Sequence, residues 1–318
     1  WFLKSGKIRN LYSGGNQGNM TSPEGLLLTI DKDSKIIVDT LFGGCRMADI
    51  RPLDKNGNPV ETGNITGYNF PPGYSARVVI SGGDINNVYG GNDVTGKVYG
   101  GNAIGIRTSI RGDVYGGGNG SYPYTDNAAF KNSEIYGDLY YEKGSNSVEA
   151  LNAFRPNAEQ VSIRVVGTKA KPTIIHGGIY CGGNSATIMT DMLNPKVELK
   201  IGSYVYADSV FLGNNGANMV KKDVLEHYAG SVDAGGEVLK DAAGKLLTSG
   251  TGTDFSSLDL TNAETFDTYM DAVAMRLMPS VVFDGDIASD ADVYEPYTSY
   301  FGSFFCGGNV GSMKVPGM

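Results

Sequence analysis

The pentapeptide Val-Tyr-Gly-Gly-Asn occurs at residues 88–92 and again at 98–102. A copy with one extra glycine stands at 114–119, and looser copies, each with an apolar residue, an aromatic residue and a turn of small residues, stand at 11–16, 179–184 and 304–309. Such self-similarity is typical of proteins built from stacked units, each of which buries its apolar face only against its neighbours. This repeat, named here the aromatic–glycine motif, therefore restricts the fold to an array of similar units.

Segments rich in β-branched residues precede the motif copies. The run Arg-Val-Val-Ile at 77–80 leads through a glycine turn to the copy at 88–92, and the same order recurs in 161–184, 196–216 and 280–309. Short strands separated by turns, with no helical segment between them, are typical of successive coils of a parallel β-helix. We therefore predict an all-β fold, a parallel β-helix that forms a single domain over residues 1–318.

The hydrophobic period becomes helical between residues 217 and 280. One helical face would carry Val220, Val224, Leu225 and Tyr228. A capping box, Thr-Asn-Ala-Glu at 261–264, opens a second helix that Pro279 ends. Because each helix has one apolar face that needs cover, we predict a helical insertion with a hairpin at 217–280, packed on the side of the repeats.

Composition limits the classes of partner. Glycine accounts for 46 of 318 residues, and its concentration in repeated turns indicates ordered turns. The net charge of −8 disfavours nucleic acid as a partner, because phosphate binding needs a basic surface. No apolar run approaches the ~18 residues of a transmembrane span. Because the chain begins at Trp1, we expect a processed form or a piece of a longer protein.

The three cysteines leave at least one thiol unpaired. Cys181 and Cys306 occupy the same position in their motif copies, and Cys45 lies close to that position. The paired Cys-x-x-Cys spacing typical of zinc sites is absent. We therefore predict that the cysteines are small stacked residues at turns, and that the chain uses no transition-metal cofactor.

The repeated motif and the order of strands and turns resemble right-handed parallel β-helix surface proteins of Bacteroides-type bacteria, which are described as adhesin-like. The resemblance extends over nearly the whole chain, including 259–283 and 304–311. It implies a right-handed coil and an exported protein at the bacterial cell surface. It implies no catalytic residues, because the shared residues are structural turns.

Two roles are open for the tyrosines. In the motif copies, Tyr89, Tyr99 and Tyr115 are expected to stack on one another from unit to unit. Asn92 is likewise expected to join a ladder of side-chain amide hydrogen bonds. Tyrosines between the copies, including the stretch 294–300, are instead candidates for stacking on sugar rings, namely Tyr122, Tyr124, Tyr140, Tyr141 and Tyr297.

The stretch 284–295 is the most concentrated acidic segment and the candidate calcium site. Its acidic residues fall at positions 1, 3, 7, 9 and 12 of a calcium-binding loop, namely Asp284, Asp286, Asp290, Asp292 and Glu295. Ala288 and Ser289 depart from the loop pattern, and no clear pair of helices frames it. Calcium in an irregular geometry and a solvated acidic loop both remain as interpretations.

Two further features suggest activities. Asp84, Asp113 and Asp138 each follow a glycine, and their alignment across coils would bring carboxylates together, as glycoside hydrolysis requires. The tripeptide Arg111-Gly112-Asp113 matches an integrin-recognition sequence, although Gly-Asp before an apolar residue recurs elsewhere as a turn.

The sequence therefore favours a non-enzymatic, extracellular protein of the bacterial surface. Its predicted role is structural or adhesive, with extracellular glycans or host surface proteins bound through its loops. The alternative is a polysaccharide lyase or glycoside hydrolase that uses carboxylates on a face of the β-helix.

Overall fold

A computed structural model of the chain describes residues 4–22, 25–53, 56–58, 74–122, 155–190, 197–216, 219–221, 280–283, 299–309 and 313–314. Every regular element in these ranges is a β-strand. In chain order the strands are β1 Ser5–Tyr12, β2 Met20–Ser22, β3 Leu26–Ile30, β4 Lys35–Phe42, β5 Ile50–Pro52, β6 Ala76–Ile80, β7 Asp84–Tyr89, β8 Lys97–Val98, β9 Asn102–Ile106, β10 Val114–Tyr115, β11 Asn157–Ala158, β12 Val161–Val165, β13 Thr173–Tyr180, β14 Thr187–Thr190, β15 Val197–Ile201, β16 Val205–Phe211, β17 Met219–Lys221, β18 Ser280–Phe283, β19 Ser299–Phe305 and β20 Met313–Lys314.

The strands are distributed over three sheets in regular rotation. Sheet A has the order β1-β4-β7-β10-β13-β16-β19, sheet B has β2-β5-β8-β11-β14-β17-β20, and sheet C has β18-β15-β12-β9-β6-β3. Neighbouring strands pair in parallel. Three consecutive strands thus place one strand in each sheet, and such a set is called a layer here. The predicted all-β class with parallel strands is confirmed.

Each sheet turns one apolar face inward. In β12, for example, Val161, Ile163 and Val165 are buried, whereas Arg164 is exposed. Side chains alternate between the two faces of a strand, so this pattern gives each sheet an apolar side. Buried apolar side chains from all three sheets form one continuous cluster, and the rings of Phe42, Tyr89 and Tyr115 form a second one. Burial of this apolar surface, at about 25 cal/mol per Å², is the main contribution that stabilises the stack.

The two identical copies of the motif have different structures. In the copy at 88–92, Val88 and Tyr89 end β7 in sheet A, and Gly90 and Gly91 do not adopt positive φ. In the copy at 98–102, Gly100 and Gly101 have φ values of 81° and 88° and connect sheet B to sheet C. Glycine therefore permits close approach of neighbouring layers in the first copy and a left-handed turn in the second.

The predicted insertion at 217–280 is described only at its ends. Met219–Lys221 forms β17, which pairs with β14 and β20 in sheet B, so the helix predicted to include Val220 is wrong at this point. Pairing with strands on both sides outweighs the local helical period of the sequence. At the other end, Ser280 begins β18 in sheet C. The remaining residues of the predicted helices and hairpin lie outside the described residues.

Candidate ligand-binding face

Seven aromatic rings stack in a continuous column along sheet A. Adjacent ring centroids lie 4.6–5.1 Å apart and adjacent ring planes differ by 1–12°, in the order Tyr12, Phe42, Tyr89, Tyr115, Tyr180, Phe211 and Phe305. Burial, reinforced by the carboxylate of Asp113, raises the pKa of the Tyr89 and Tyr115 hydroxyls. The predicted stacking of Tyr89 and Tyr115 is confirmed, and these rings are not available to a ligand.

Tyr99 does not belong to this column, so the prediction is wrong for that residue. It follows β8 in sheet B, and Arg51 and Lys97 face its ring at 4.8 and 4.5 Å from the centroid. Lys97 also pairs with the fully buried carboxylate of Glu159 at 2.8 Å. The second motif copy therefore supplies its tyrosine to a cation–π cluster, because it lies at a different turn of the layer.

A ladder of side-chain amide hydrogen bonds exists, but it begins at Asp93, one residue after the predicted Asn92. Asn119 Nδ2 donates to Asp93 Oδ1 at 2.9 Å. The same contact recurs between later layers, in each case from an Nδ2 donor to an Oδ1 acceptor. Asn184 donates to Asn119 at 3.1 Å, Asn215 donates to Asn184 at 2.7 Å, and Asn309 donates to Asn215 at 2.8 Å. Asn92 instead bonds the backbone of the preceding layer. The extra glycine in 114–119 moves Asn119 into register with Asp93.

Tyr122, a predicted sugar-stacking residue, donates its hydroxyl to Asp93 Oδ1 at 2.8 Å. The hydroxyl of Tyr12 donates to Asp93 Oδ2 at 2.7 Å. With the amide of Asn119, the carboxylate of Asp93 thus accepts three hydrogen bonds and is only 3% exposed. These contacts give the Tyr122 hydroxyl a structural role at the start of the amide ladder.

The tripeptide Arg111-Gly112-Asp113 forms a β-bulge in sheet A. Ile110 pairs with Ile85 and Val114 pairs with Val88, so three residues oppose two. The Asp113 N–H donates to Asn87 Oδ1 at 3.0 Å, and Asp113 Oδ1 accepts the Gly178 N–H at 2.8 Å. The guanidinium of Arg111 pairs with Asp84. The tripeptide is therefore held within the sheet by its own layers, which does not favour an integrin-recognition loop.

The carboxylates of Asp84 and Asp113 do not align across layers as predicted. Asp84 lies opposite Ile37, whereas Asp113 lies beside Asn87, three residues further along β7. Asp84 begins β7, whereas the bulge places Asp113 immediately before β10, and this difference causes the separation. Asp138, the third member of the predicted row, lies outside the described residues.

An outward row of large side chains crosses three adjacent strands of sheet A. The register pairs Ile174 with Tyr206 and Tyr206 with Tyr300. Ile174 is 38% exposed and Tyr300 is 62% exposed. These residues border a shallow pocket of about 420 Å³, lined also by Ile175, Ala207, Asp208, Gly302 and Ser303. This volume lies within the ~300–1,000 Å³ of typical small-molecule sites.

A polar row lies next to the aromatic row. Asp208 is exposed, and among the described residues it makes no ion pair. Its strand neighbour Gly302 has no side chain, and a Cβ there would lie 2.6 Å from the Asp208 carbonyl oxygen. On the other side of Asp208, in β13, the exposed residue His176 lies where the register shifts between Ile175 and Gly178. The arrangement combines an aromatic surface with an open carboxylate, which is suited to binding and orienting a polar ligand that has an apolar face.

Tyr300 lies in the stretch 294–300 that the sequence predicted to stack on sugar rings, whereas Tyr206 and Asp208 were not predicted as binding residues. Tyr206 and Asp208 lie in β16, in the alternating pattern of an ordinary strand, where a tyrosine and an aspartate carry no local signal. Only the register with β13 and β19 brings them to one pocket. The remaining predicted tyrosines, Tyr124, Tyr140, Tyr141 and Tyr297, lie outside the described residues.

The candidate calcium ligands Asp284, Asp286, Asp290, Asp292 and Glu295 also lie outside the described residues. In the part of the chain that the structure describes, no three His, Cys, Asp or Glu side chains converge in a way that could hold a metal ion. Within the same part, there is no apolar helix long enough to cross a lipid bilayer.

Two of the three thiols are buried at the turns. Cys181 and Cys45 are fully buried, whereas Cys306 is exposed. Burial raises the pKa of the Cys181 thiol to about 12. Burial likewise raises the pKa of Cys45 to about 11. The thiols of Cys45 and Cys181 therefore remain protonated packing groups, as predicted for small residues at turns.

Comparison of the chain with known proteins gives no match: no family model fits it, and no curated protein or solved structure is significantly similar to it. Its function is therefore inferred from its own residues and their geometry.

Proposed function

We propose that the chain is a non-enzymatic, structural or adhesive protein of the bacterial cell surface, which binds extracellular glycans or host proteins. The proposed architecture is a right-handed parallel β-helix, the finer form of the parallel fold described above. The strands follow one another through sheets A, B and C in regular rotation, which supports this architecture. Each turn of the chain leads to the next sheet, and the third strand after any strand lies in the same sheet as that strand. Connections between parallel strands of one sheet are right-handed in about 98% of cases, which supports the handedness.

The column of seven stacked rings is the observation that best supports a structural role. It runs from Tyr12 in the first layer to Phe305 in the last described strand of sheet A. Aromatic pairs contribute about 0.5–1.5 kcal/mol each beyond their buried area, so the column holds every layer to the next. A stack fixed in this way is a rigid support on which outward side chains keep their spacing.

The way in which carboxylates are used also supports a non-enzymatic role. The acidic groups of Asp93, Asp113 and Glu159 are engaged by hydrogen bonds or an ion pair within the layers. Glycoside hydrolysis needs two carboxylates on either side of the scissile bond. The nearest candidates, Asp84 and Asp113, are out of register, so this face does not favour the hydrolase alternative.

Surface labelling of intact cells tests the proposal. An antibody raised against the 318-residue chain is expected to label cells of the source bacterium before permeabilisation. Labelling that requires permeabilisation would overturn the surface location. In parallel, the purified chain is incubated with uronic-acid polysaccharides while the absorbance of unsaturated products is followed. Appearance of product would replace the adhesive role with a lyase.

A further inference from the structure

We propose that the pocket formed by Ile174, Tyr206, Tyr300 and Asp208 on the outward face of sheet A binds a neutral oligosaccharide. The inference rests on the proposed adhesive function and specifies its ligand and its site. It also moves the binding site from the loops, where the sequence placed it, to the face of a sheet.

The aromatic row supplies the surface on which sugar rings stack. Tyr300 is 62% exposed, and the register places Tyr206 beside it on the neighbouring strand. Neighbouring strands lie about 4.8 Å apart, so the row presents two rings and Ile174 at regular intervals across the sheet. One face of a pyranose ring carries C–H groups, which pack against an aromatic side chain, while its hydroxyl groups remain available for hydrogen bonds.

The carboxylate of Asp208 supplies the polar recognition. It accepts hydrogen bonds only, and sugar hydroxyl groups donate them. Ser303, also exposed at the pocket, adds a hydroxyl that donates or accepts. Because Asp208 has no ion pair among the described residues, its negative charge repels a uronic or sialic acid. The pocket therefore selects neutral sugars.

The sheet geometry favours a saccharide over a peptide. An extended peptide binds most readily by adding a strand to an open sheet edge. The row Ile174–Tyr206–Tyr300 instead lies across the sheet face: β13 and β16 pair on both sides, and only Tyr300 belongs to an end strand, β19. The strands are also fixed before binding, so little conformational entropy is lost when a ligand binds. The nearby register shift in β13 is of the kind that often lies beside functional sites.

Titration calorimetry of the full 318-residue chain tests the proposal. The probes are mannohexaose, cellohexaose and xylohexaose as neutral ligands and trigalacturonate as an acidic ligand. We expect at least one neutral probe to bind, and Tyr300→Ala to weaken that binding by about twofold to tenfold through loss of ring stacking. Tyr300→Phe retains the ring and is expected to retain most of the affinity.

Control variants distinguish loss of the binding site from loss of the folded structure. Ile37→Ala removes another exposed side chain of sheet A, 38% exposed and outside the pocket, and is expected to leave binding unchanged. Thermal unfolding of each variant shows that the fold persists, and Tyr300 is exposed enough for its removal to be tolerated.

The proposal is overturned if no neutral probe binds at millimolar concentration, if trigalacturonate binds more tightly, or if Tyr300→Ala and Tyr206→Ala both bind as the wild type does. None of these outcomes affects the surface-labelling result, so failure of the site and failure of the surface role are distinguishable.

Discussion

Asn92 bonds the backbone of Cys45 in the preceding layer: its side-chain Oδ1 accepts the Cys45 N–H at 2.8 Å. The other end of the amide, Nδ2, donates to the carbonyl of Ala48 at 2.8 Å. The residue is 1% exposed, so water cannot replace either bond. The sequence predicted that this side chain bonds the equivalent asparagines of other copies. It instead bonds two backbone groups of one turn in the preceding layer.

Asn92→Ala is expected to lower the free energy of unfolding by about 2–4 kcal/mol. The substitution leaves the Cys45 N–H and the Ala48 carbonyl buried without a partner, and each such group costs about 1–3 kcal/mol. Chemical denaturation measures the change. Asn309→Ala is the matched control, because Asn309 is exposed at the end of the amide ladder and its loss should cost less than about 0.5 kcal/mol. Equal effects of the two substitutions would contradict the assignment.

Gly112→Ala is expected to destabilise the chain by about 1–3 kcal/mol. A Cβ at this position would collide with Oδ1 of Asn87, which already accepts the Asp113 N–H. Gly105→Ala provides the comparison, because the nearest atom to its Cβ, the Val78 carbonyl oxygen, lies 3.9 Å away. Thermal unfolding of both variants measures the difference. If Gly112→Ala unfolds at the same temperature as Gly105→Ala, the bulge does not need glycine.

One thiol is expected to react with a chromogenic disulfide reagent in the native protein. Cys306 is exposed, whereas Cys45 and Cys181 are buried and their pKa values are raised to about 11 and about 12 by burial. Because the thiolate is the reactive form, the buried pair should react only after denaturation. Cys306→Ser should abolish the native reaction. Rapid reaction of two or three thiols without denaturant would show that the turns open readily.

The chain is expected to lose stability as the pH rises above about 10. Burial raises the pKa of the Tyr12, Tyr89, Tyr115 and Tyr180 hydroxyls above the ordinary tyrosine value of about 10. The folded state therefore holds protons that the unfolded state releases, so the contribution of these groups is complete below pH ~10 and is lost as the pH rises through the folded values. Denaturation midpoints between about pH 8 and about pH 11 measure this slope.

Tyr115→Phe isolates one member of this group. It retains the ring that stacks on Tyr89 and Tyr180 at 4.7 Å and removes the hydroxyl that donates to Asp113 at 3.1 Å. The alkaline loss of stability should then be smaller than in the wild type. An unchanged slope would show that Tyr115 does not titrate differently in the folded and unfolded states.

Much of the architecture could be predicted from local patterns. Alternation of β-branched residues, as in Val161, Ile163 and Val165, sets strands with one buried face. Recurrence of an aromatic residue at the end of such strands predicts the column that contains Tyr89 and Tyr115. Both signals are local: they depend on the order of side chains within a few residues, which any unit of the array repeats.

The position of a residue relative to other layers was decided only by the tertiary structure. Identical pentapeptides at 88–92 and 98–102 occupy different turns, and one extra glycine before Asn119 aligns it with Asp93 instead of Asn92. Likewise, Tyr206 and Tyr300 become neighbours only through pairing of β16 with β19 across ninety-four residues. The physical reason is that parallel register depends on the number of residues in each layer and on which side chains share the core, and both are relations between segments far apart in the chain.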